Sequence, residues 1–406
     1  MIREQQPAAA CIDTVLHLRR AACVTVACVV LNAGRGAEFL SSDELGALRT
    51  ARPGEVLKQE NLWQQRRTLP LIPVEIHDAH GPQFLLSDKP EYFPGNGISL
   101  QELVQPGVVR LYIYHVPDSS HKPKVISCIL ENPGTAPLRV KLLRTAFPKP
   151  GTDYPRVVKE ALAAFLSSRA QTTVRSILPG EAVPLDAAMD ATEATAGQLV
   201  HGFYEFELDQ PCRISVFQRD PDEKSIEVVR TLPKFPGSTG TGAGRGLFKS
   251  SEFVVTNKTG SAFSSVCGPQ LLIVADGKED RWIKGQDGIS SATTQDAGNY
   301  GVMYRIRITR SPDDTNSLAV LMGRSGSAYS GCGKVGGAVA VNDGFFPAGV
   351  VVLPKDQIAF GERGEMALIQ KFGPVVDRKN ATIEITYSPP GAACMPTPLL
   401  FVPYWP

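Results

Sequence analysis

The chain has 406 residues, 43% of them hydrophobic, which is enough for two or three domains with packed cores and excludes extensive disorder. Lysine and arginine total 42 against 41 acidic residues, and the net charge of +1 gives no basic excess for binding nucleic acid or an anionic membrane. The 37 glycines and 32 prolines separate short apolar runs, a pattern that favours a turn-rich β protein.

The N-terminus has the features of an export signal. Two arginines precede an uncharged apolar run over 21–31, which is too short to span a bilayer, and 34–36 offers a small-x-small cleavage site. We predict a signal peptide-like leader over 1–36, a secreted or cell-envelope location, and no integral membrane span after the leader is removed. The alternatives are a buried strand of the folded domain and a lipoprotein, for which 25–28 is an imperfect lipobox.

The eight cysteines argue against a zinc site or a thioredoxin-like centre, because none forms a C-x-x-C pair. Three of them fall in the leader. The odd number that remains permits a single disulfide after export and leaves its pairing open. The five that remain are Cys128, Cys212, Cys267, Cys332 and Cys394.

Residues 37–85 are predicted to be an extended N-terminal segment. "SSDELGALRTA" (41–51) has Ser42, a residue suited to capping, near its start and predicts a short helix. "LPLIPVEIHD" is a β-like run interrupted by prolines, which indicates an edge strand or an extended approach to the first domain.

Residues 86–236 are predicted to form a β-sandwich-like domain with one helix over 154–169. Thr152 or Asp153 can cap this helix, Pro155 suits its first turn, and an apolar stripe at helical spacing predicts packing on a sheet. Six short strands separated by turn residues are predicted for the domain. They lie over 108–116, 124–132, 138–147, 199–208, 212–220 and 225–232.

The sequence "GSTGTGAGRG" (237–246) invites comparison with a phosphate-binding loop, but it matches neither the G-x-G-x-x-G fingerprint nor a P-loop. Strand-like segments flank it on both sides, so no helix N-terminus is available to bind an anion. We predict a glycine-rich linker over 237–250 and a second β-sandwich-like domain over 251–406. Within that domain, alternating residues over 300–310 predict a half-buried antiparallel strand.

Candidate chemistry is sparse. His77 and His80 form an H-x-x-H pair and are the weak candidates for metal ligands, with solvated loop histidines as the alternative. Glu205 and Glu207 share the outward face of a predicted strand, and the sequence brings no partner carboxylate to them. "GRSGSAYSG" (323–331) lacks a glycine that a nucleophile elbow requires. The sequence therefore supplies no catalytic residue and no cofactor site.

The order of several blocks resembles a family of uncharacterised secreted proteins of Gram-positive bacteria. The blocks include "VRLYIYHV", "ENPGTAPLRVKLLR", "TDYPRVVKEALAAFL", "GFYEFELDQPCRISV", "LPKFPGSTG", "AGNYGVMYRIRI" and "ITYSPPGAACMPTPLLFVP". Such proteins are often classified through an attached copper amine oxidase N-terminal-like domain, for which the segment before residue 90 is too short. The resemblance implies export and a β-rich fold. It implies no amine oxidase chemistry, because Asn299-Tyr300 is followed by Gly301-Val302 and the chain has no H-x-H.

Two functions from different classes follow from these features. The first is a non-enzymatic secreted or cell-envelope protein with a structural, adhesive or glycan-binding role, whose partner is cell-wall glycan or another envelope protein. The second is a secreted carbohydrate-active hydrolase whose carboxylates meet only in the fold. Two acidic groups in a tyrosine- or tryptophan-lined cleft would favour the enzyme, and exposed aromatic residues on a flat sheet would favour a binding module.

Overall fold

The structure is a computed structural model. Strands predominate over helices, so the prediction of a mainly β fold with two sandwiches and one packed helix is confirmed. The predicted leader, Cys332 and most of the glycine-rich run lie outside the described residues. The structure describes residues 39–120, 122–237, 244–324, 333–376 and 380–405.

The helices are short, apart from one of 14 residues. Those in the described ranges are α1 (Ser42–Thr50), α2 (Glu60–Gln65), α3 (Tyr154–Ser167), α4 (Ala187–Ala191) and α5 (Ser225–Val228). The predicted helix at "SSDELGALRTA" is confirmed, but Ser41 is its cap. The Ser41 hydroxyl accepts a hydrogen bond from the Glu44 N–H, and the Glu44 carboxylate accepts one from the Ser41 N–H.

The strands follow the apolar runs of the sequence. The first twelve are β1 (Val56–Lys58), β2 (Val74–Asp78), β3 (Gln83–Ser87), β4 (Gly97–Val104), β5 (Gly107–His115), β6 (Lys124–Glu131), β7 (Leu138–Ala146), β8 (Val174–Ile177), β9 (Ala182–Pro184), β10 (Glu193–Ala194), β11 (Val200–Leu208) and β12 (Cys212–Arg219). The others are β13 (Arg245–Phe248), β14 (Glu252–Asn257), β15 (Gln270–Leu272), β16 (Lys284–Gln286), β17 (Thr293–Gln295), β18 (Met303–Thr309), β19 (Ser317–Gly323), β20 (Gly337–Val341), β21 (Gly349–Leu353), β22 (Glu365–Phe372), β23 (Thr382–Tyr387) and β24 (Leu399–Tyr404).

The first sandwich packs an eight-stranded sheet against a five-stranded one. The order in the larger sheet is β17-β16-β13-β3-β5-β11-β7-β8, and the smaller has β10-β6-β12-β4 with β9 also on β6. Alternate residues of β5 face the core between the sheets, namely Val109, Leu111 and Ile113. The intervening Tyr112 and Tyr114 therefore point to the opposite face of the large sheet, toward the second sandwich.

The second sandwich packs a five-stranded sheet, β1-β22-β19-β24-β15, against a six-stranded one, β2-β14-β18-β23-β20-β21. The alternation predicted for 300–310 is confirmed in β18, where Tyr304, Ile306 and Ile308 are buried and the residues between them are exposed. This strand pairs antiparallel with β23 on one side but parallel with β14 on the other. The proline-broken run before residue 79 supplies β2, an edge strand as predicted.

Helix α3 fills the space between the sandwiches. Its buried residues contact β11 and β7 of the first sandwich and β20 and β21 of the second. The rings of Phe165 and Phe203 stack with centroids 3.8 Å apart and an interplanar angle of 7°. One apolar cluster therefore joins the outer face of the eight-stranded sheet, α3 and the core of the second sandwich. The packing predicted for this helix is confirmed, with a second sheet on its other side.

Three segments differ from the sequence prediction. The last part of the predicted linker is a strand, because Arg245–Phe248 forms β13 between β3 and β16 in the eight-stranded sheet. The segment 37–85 contributes β1 and β2 to the second sandwich rather than leading into the first. Residues 225–232 begin with α5 instead of forming a strand. Each sandwich therefore contains strands from both sides of the predicted linker over 237–250, and the two sandwiches are interlocked in the chain.

Candidate ligand cleft

A cleft of about 950 Å³ opens between the two sandwiches. One wall comes from the first sandwich and the start of α3, and the other comes from loops of the second sandwich. Among its lining residues are five tyrosines, of which Tyr92 is the most exposed at 56% of its surface. The tyrosines are Tyr92, Tyr112, Tyr114, Tyr154 and Tyr300.

Three polar groups form what we call the floor of the cleft: the side chains of Asp88 and Tyr112, which line it, and that of the buried Asp296, which is not itself a lining residue. Asp88 follows β3 directly and lines the cleft with Tyr112 of the adjacent β5. Asp296 follows β17 and is completely buried next to the lining residue Ala297. Burial is the largest cause of the raised pKa of Asp88 and of Tyr112, and the nearby Asp296 carboxyl adds to both, which places the three groups within electrostatic reach of one another.

The floor is unusual because its buried polar atoms lack hydrogen-bond partners within the part of the chain that the structure describes. Asp88 Oδ1, both carboxylate oxygens of Asp296 and the Tyr112 hydroxyl make no hydrogen bond of ordinary distance and angle, and we call them unpaired in that sense. The backbone N–H of Tyr300 does lie near Asp296, and that of Gly391 lies near the Tyr112 hydroxyl. Leaving a buried polar group unpaired costs about 1–3 kcal/mol. Such groups concentrated in one place therefore indicate a site arranged for something other than stability.

The floor also favours the neutral forms of its acidic groups. Burial raises the pKa of Asp88 and Asp296 well above the usual range of an aspartate, and nearby Glu91 adds to the effect on Asp88. Burial likewise raises the pKa of Tyr112 and Tyr300. A protonated carboxyl and a phenol each offer one donor and an acceptor, so the floor presents neutral groups able to hydrogen-bond in both directions.

A buried network fixes the connection that carries Asp296 and Tyr300. Asn299 adopts a left-handed conformation with φ of 51°, its amide donates to the Tyr304 hydroxyl at 2.7 Å, and its Oδ1 accepts from the Ile283 N–H. The Tyr304 hydroxyl donates to Asp280 at 2.5 Å. The Tyr300 hydroxyl then donates to the Ala393 carbonyl at 2.9 Å, which ties this connection to the opposite wall.

Two further ties hold the wall formed by the second sandwich. Cys394, which lines the cleft, is disulfide-bonded, whereas Cys128 and Cys212 are free thiols in the core of the first sandwich. The buried Lys159 of α3 donates to the Pro354 carbonyl at 2.8 Å and to the Gln357 carbonyl, and Gln357 also lines the cleft. The walls are therefore positioned before any ligand arrives.

The sequence candidates lie elsewhere. His77 is an exposed residue of β2 with Nε2 3.4 Å from Glu75, and His80 is exposed with Nδ1 3.7 Å from Asp78. In the described ranges, no group of three or more His, Cys, Asp and Glu side chains could hold a metal ion. Residues 325–331 of "GRSGSAYSG" lie outside those ranges.

The paired glutamates of β11 differ from the prediction. Glu205 is buried, not outward-facing, since it accepts hydrogen bonds from Arg110 at 2.6 and 2.8 Å and lies 3.4 Å from Arg144. Glu207 is exposed. An ion-paired carboxylate of this kind stabilises the contact between the sandwiches and has no place in the cleft.

Sequence reasoning missed the floor altogether. Asp88, Tyr112 and Asp296 are far apart in the chain and belong to no common motif. The available signals were a polar "SD" directly after an apolar run at 84–86, and the "DAGNYG" turn at 296–301. Neither signal indicates which strands are adjacent in the sheet, and it is this strand order that brings the three residues together.

Comparisons with known proteins add little. No protein-family model and no curated protein matches the chain. One similar solved structure is the oxalate decarboxylase of Lactobacillus farciminis in complex with formate, at 12% identity, with 75% of this chain and 76% of that chain covered and a TM-score of 0.14. A likeness with so low a score carries no argument about this chain. Among the described residues, no helix is long and apolar enough to cross a membrane.

Proposed function

We propose that this protein is a secreted or cell-envelope protein that binds glycan in the cleft between its sandwiches. The observation that carries the proposal is the floor, where buried polar atoms lie unpaired at a cleft lined by tyrosines. A sugar offers hydroxyl groups that donate and accept, and its C–H faces pack on aromatic rings. Both features match what the cleft presents.

The charge of the floor favours a polyhydroxylated ligand over an ion. Because burial raises the pKa of Asp88 and Asp296, the floor favours protonated carboxyls, which attract a cation weakly and do not repel a neutral sugar. A ligand hydroxyl that donates to a carbonyl-type oxygen and accepts from the Tyr112 phenol would satisfy groups that the protein leaves unpaired. Each such pairing recovers part of a desolvation penalty that the folded chain already bears.

Export is supported by the disulfide at Cys394, because disulfides persist in oxidising compartments. The predicted leader over 1–36 also supports export. Fractionation of the native host tests the location: the protein is expected in the medium or the envelope. Recovery of the chain as a soluble cytosolic protein would contradict export.

Binding is tested by pull-down on purified peptidoglycan and by calorimetry with chitotetraose as a soluble neutral probe. Tyr92→Ala removes an exposed ring at the cleft and should weaken binding several-fold, by about 1 kcal/mol. Phe345→Ala is the matched control, because Phe345 is 52% exposed and is not among the residues that line the cleft. Absence of binding to both probes, or equal loss in both variants, would contradict glycan binding.

Hydrolysis is the second candidate function, favoured by one observation. Asp88 and Glu91 both line the cleft, and Glu91 raises the pKa of Asp88. Burial raises the pKa of Asp88 strongly, which suits a proton donor, and it raises the pKa of the exposed Glu91 less, which leaves Glu91 as the base or nucleophile.

Release of reducing ends from peptidoglycan tests this alternative. A hydrolase would release them with the wild-type protein, and Asp88→Asn or Glu91→Gln would abolish the release. If the wild-type protein binds glycan and releases no reducing ends, the hydrolase alternative fails and the binding function stands.

A further inference from the structure

A cluster of arginines borders one end of the cleft. The indole of Trp63 carries two guanidinium groups, with the Cζ of Arg66 3.6 Å and that of Arg324 4.7 Å from the centre of the ring. The two guanidinium carbons are therefore within about 8 Å of each other. Arg67 and Arg363 lie close enough to depress the pKa of Arg66 further, after burial, which is the largest cause.

These positive charges are poorly compensated. Among the ion pairs of the described residues, Arg363 has Glu60 at 3.2 Å, whereas Arg66, Arg67 and Arg324 have no acidic partner. The Nε of Arg324 is buried and lacks a hydrogen-bond partner there. Like charges held at this spacing repel each other, and an anion bound by the cluster relieves the repulsion.

The arginine cluster adjoins the cleft directly. An Nη of Arg324 lies 4.0 Å from the position that a Cβ on Gly333 would occupy, and Gly333 lines the cleft. Arg363 follows Glu362, another lining residue. Arg324 and Arg363 are therefore the members of the cluster nearest to the cleft, at an end that Glu362 and Glu365 also line.

We propose that Arg66, Arg324 and Arg363 bind an anionic group, a carboxylate or a phosphate, carried by the ligand of the cleft. The inference rests on the proposed glycan-binding function and makes the ligand an acidic glycan. The neutral floor holds sugar hydroxyls, and the arginines select a chain bearing a negative charge. Planar guanidinium groups suit this task because they donate in pairs to carboxylate and phosphate oxygens.

Stacking alone would be the other reason for these contacts, since arginine packs well on tryptophan. A single arginine would serve that purpose. Two arginines on the Trp63 ring, with a third arginine nearby, repel each other, and the buried Nε of Arg324 remains unpaired. Packing on the ring does not require this arrangement.

The test uses calorimetry on the full chain with inorganic phosphate and with tetragalacturonate, against neutral chitotetraose. At least one anionic probe should bind the wild-type protein, and Arg324→Gln and Arg66→Gln should each weaken it by fivefold or more. The control is Arg307→Gln, an exposed arginine of β18 outside the cluster. Phosphate binding alone assigns the site to a phosphate group, and tetragalacturonate binding alone assigns it to a sugar carboxylate.

Two results would overturn the inference: neither anion binds the wild-type protein, or the cluster variants bind as tightly as Arg307→Gln. If the cluster variants fail to fold, phenylglyoxal modification of the wild-type protein replaces them, and the anion should protect Arg66 and Arg324 but not Arg307. Tyr92→Ala distinguishes a failure of the anion-binding inference from a failure of the proposed glycan-binding function. This variant should weaken glycan binding and leave phosphate binding unchanged.

Discussion

The cluster around Arg310 and the floor of the cleft are both buried and polar, but they differ in whether their polar atoms are paired. Arg310 is 1% exposed, and its guanidinium donates to Asp314 at 3.0 and 3.1 Å and to the carbonyls of Gly373 at 2.6 Å and Asn316 at 2.8 Å. The second oxygen of Asp314 accepts from the Ser265 hydroxyl. The floor has the opposite character, since the carboxylate of Asp296 and the Tyr112 hydroxyl are unpaired.

The difference separates two uses of buried polarity. A paired cluster such as that of Arg310 ties several loops together and holds one arrangement of the chain. Unpaired groups reduce stability, and a fold retains them where a ligand can satisfy them. The comparison therefore predicts that substitutions in the two regions affect stability in opposite directions.

The largest expected effect is at the paired cluster. Asp314→Ala leaves the buried guanidinium of Arg310 uncompensated and should lower the free energy of unfolding by about 3–5 kcal/mol. Urea denaturation measures the loss. Asp356→Ala, at a residue whose side chain is 73% exposed, should cost about 0.5 kcal/mol or less. A loss at Asp314 no larger than at Asp356 would show that the buried pair does not hold the loops.

An intermediate, pH-dependent effect is expected at Asp296. Its raised pKa means that the folded state keeps a proton that the unfolded chain releases near pH 4, so its contribution to stability declines as the pH rises above that point. The free energy of unfolding of the wild-type protein should fall by about 1.4 kcal/mol for each pH unit over which the folded carboxyl stays protonated. Asp296→Asn should abolish this fall.

Unfolding curves of both proteins, recorded at several pH values from about 4 to about 8, measure this difference. The advantage of the asparagine variant over the wild-type protein should grow with pH. A difference that stays constant across the range would mean that Asp296 is ionised in the folded protein.

The smallest effect provides the sharpest contrast, because it compares two buried tyrosines that differ in pairing. Tyr112→Phe removes an unpaired hydroxyl and should raise the free energy of unfolding by about 1 kcal/mol. Tyr304→Phe removes a hydroxyl bonded to Asp280 and Asn299, and should lower it by about 1–2 kcal/mol. Changes of the same sign in both variants would remove the distinction between the two kinds of buried group.

The sequence predicts much of the fold because apolar runs determine most of the strands. β5, β11 and β18 follow from alternating or β-branched residues, and the helix at 154–169 follows from spacing and Pro155. β13 was missed because a glycine-rich run gives no strand signal. Arg245 anchors it through a buried ion pair with Asp287 at 3.0 Å, a partner that only the fold brings near.

The cleft is harder to predict, for a related reason. Its floor depends on the parallel pairing of β3 with β5 and on the connection at 296–301 lying beside these strands. No local sequence pattern encodes either feature. The candidates drawn from motifs, His77 with His80 and Glu205 with Glu207, lie outside the cleft. Topology, rather than residue spacing, brings Asp88 and Asp296 together.

The most direct test of the cleft as a glycan site is calorimetry with chitotetraose on the wild-type protein, Tyr112→Phe and Tyr304→Phe. The hydroxyl of Tyr112 is expected to bond the ligand, so its removal should weaken binding about tenfold, or about 1.4 kcal/mol, while stability rises. Tyr304→Phe removes a hydrogen bond that fixes the connection carrying Asp296, so it should weaken binding less than Tyr112→Phe does and should lower stability. Equal affinity of the wild-type protein and Tyr112→Phe would contradict the claim that the floor is unpaired because it serves a ligand.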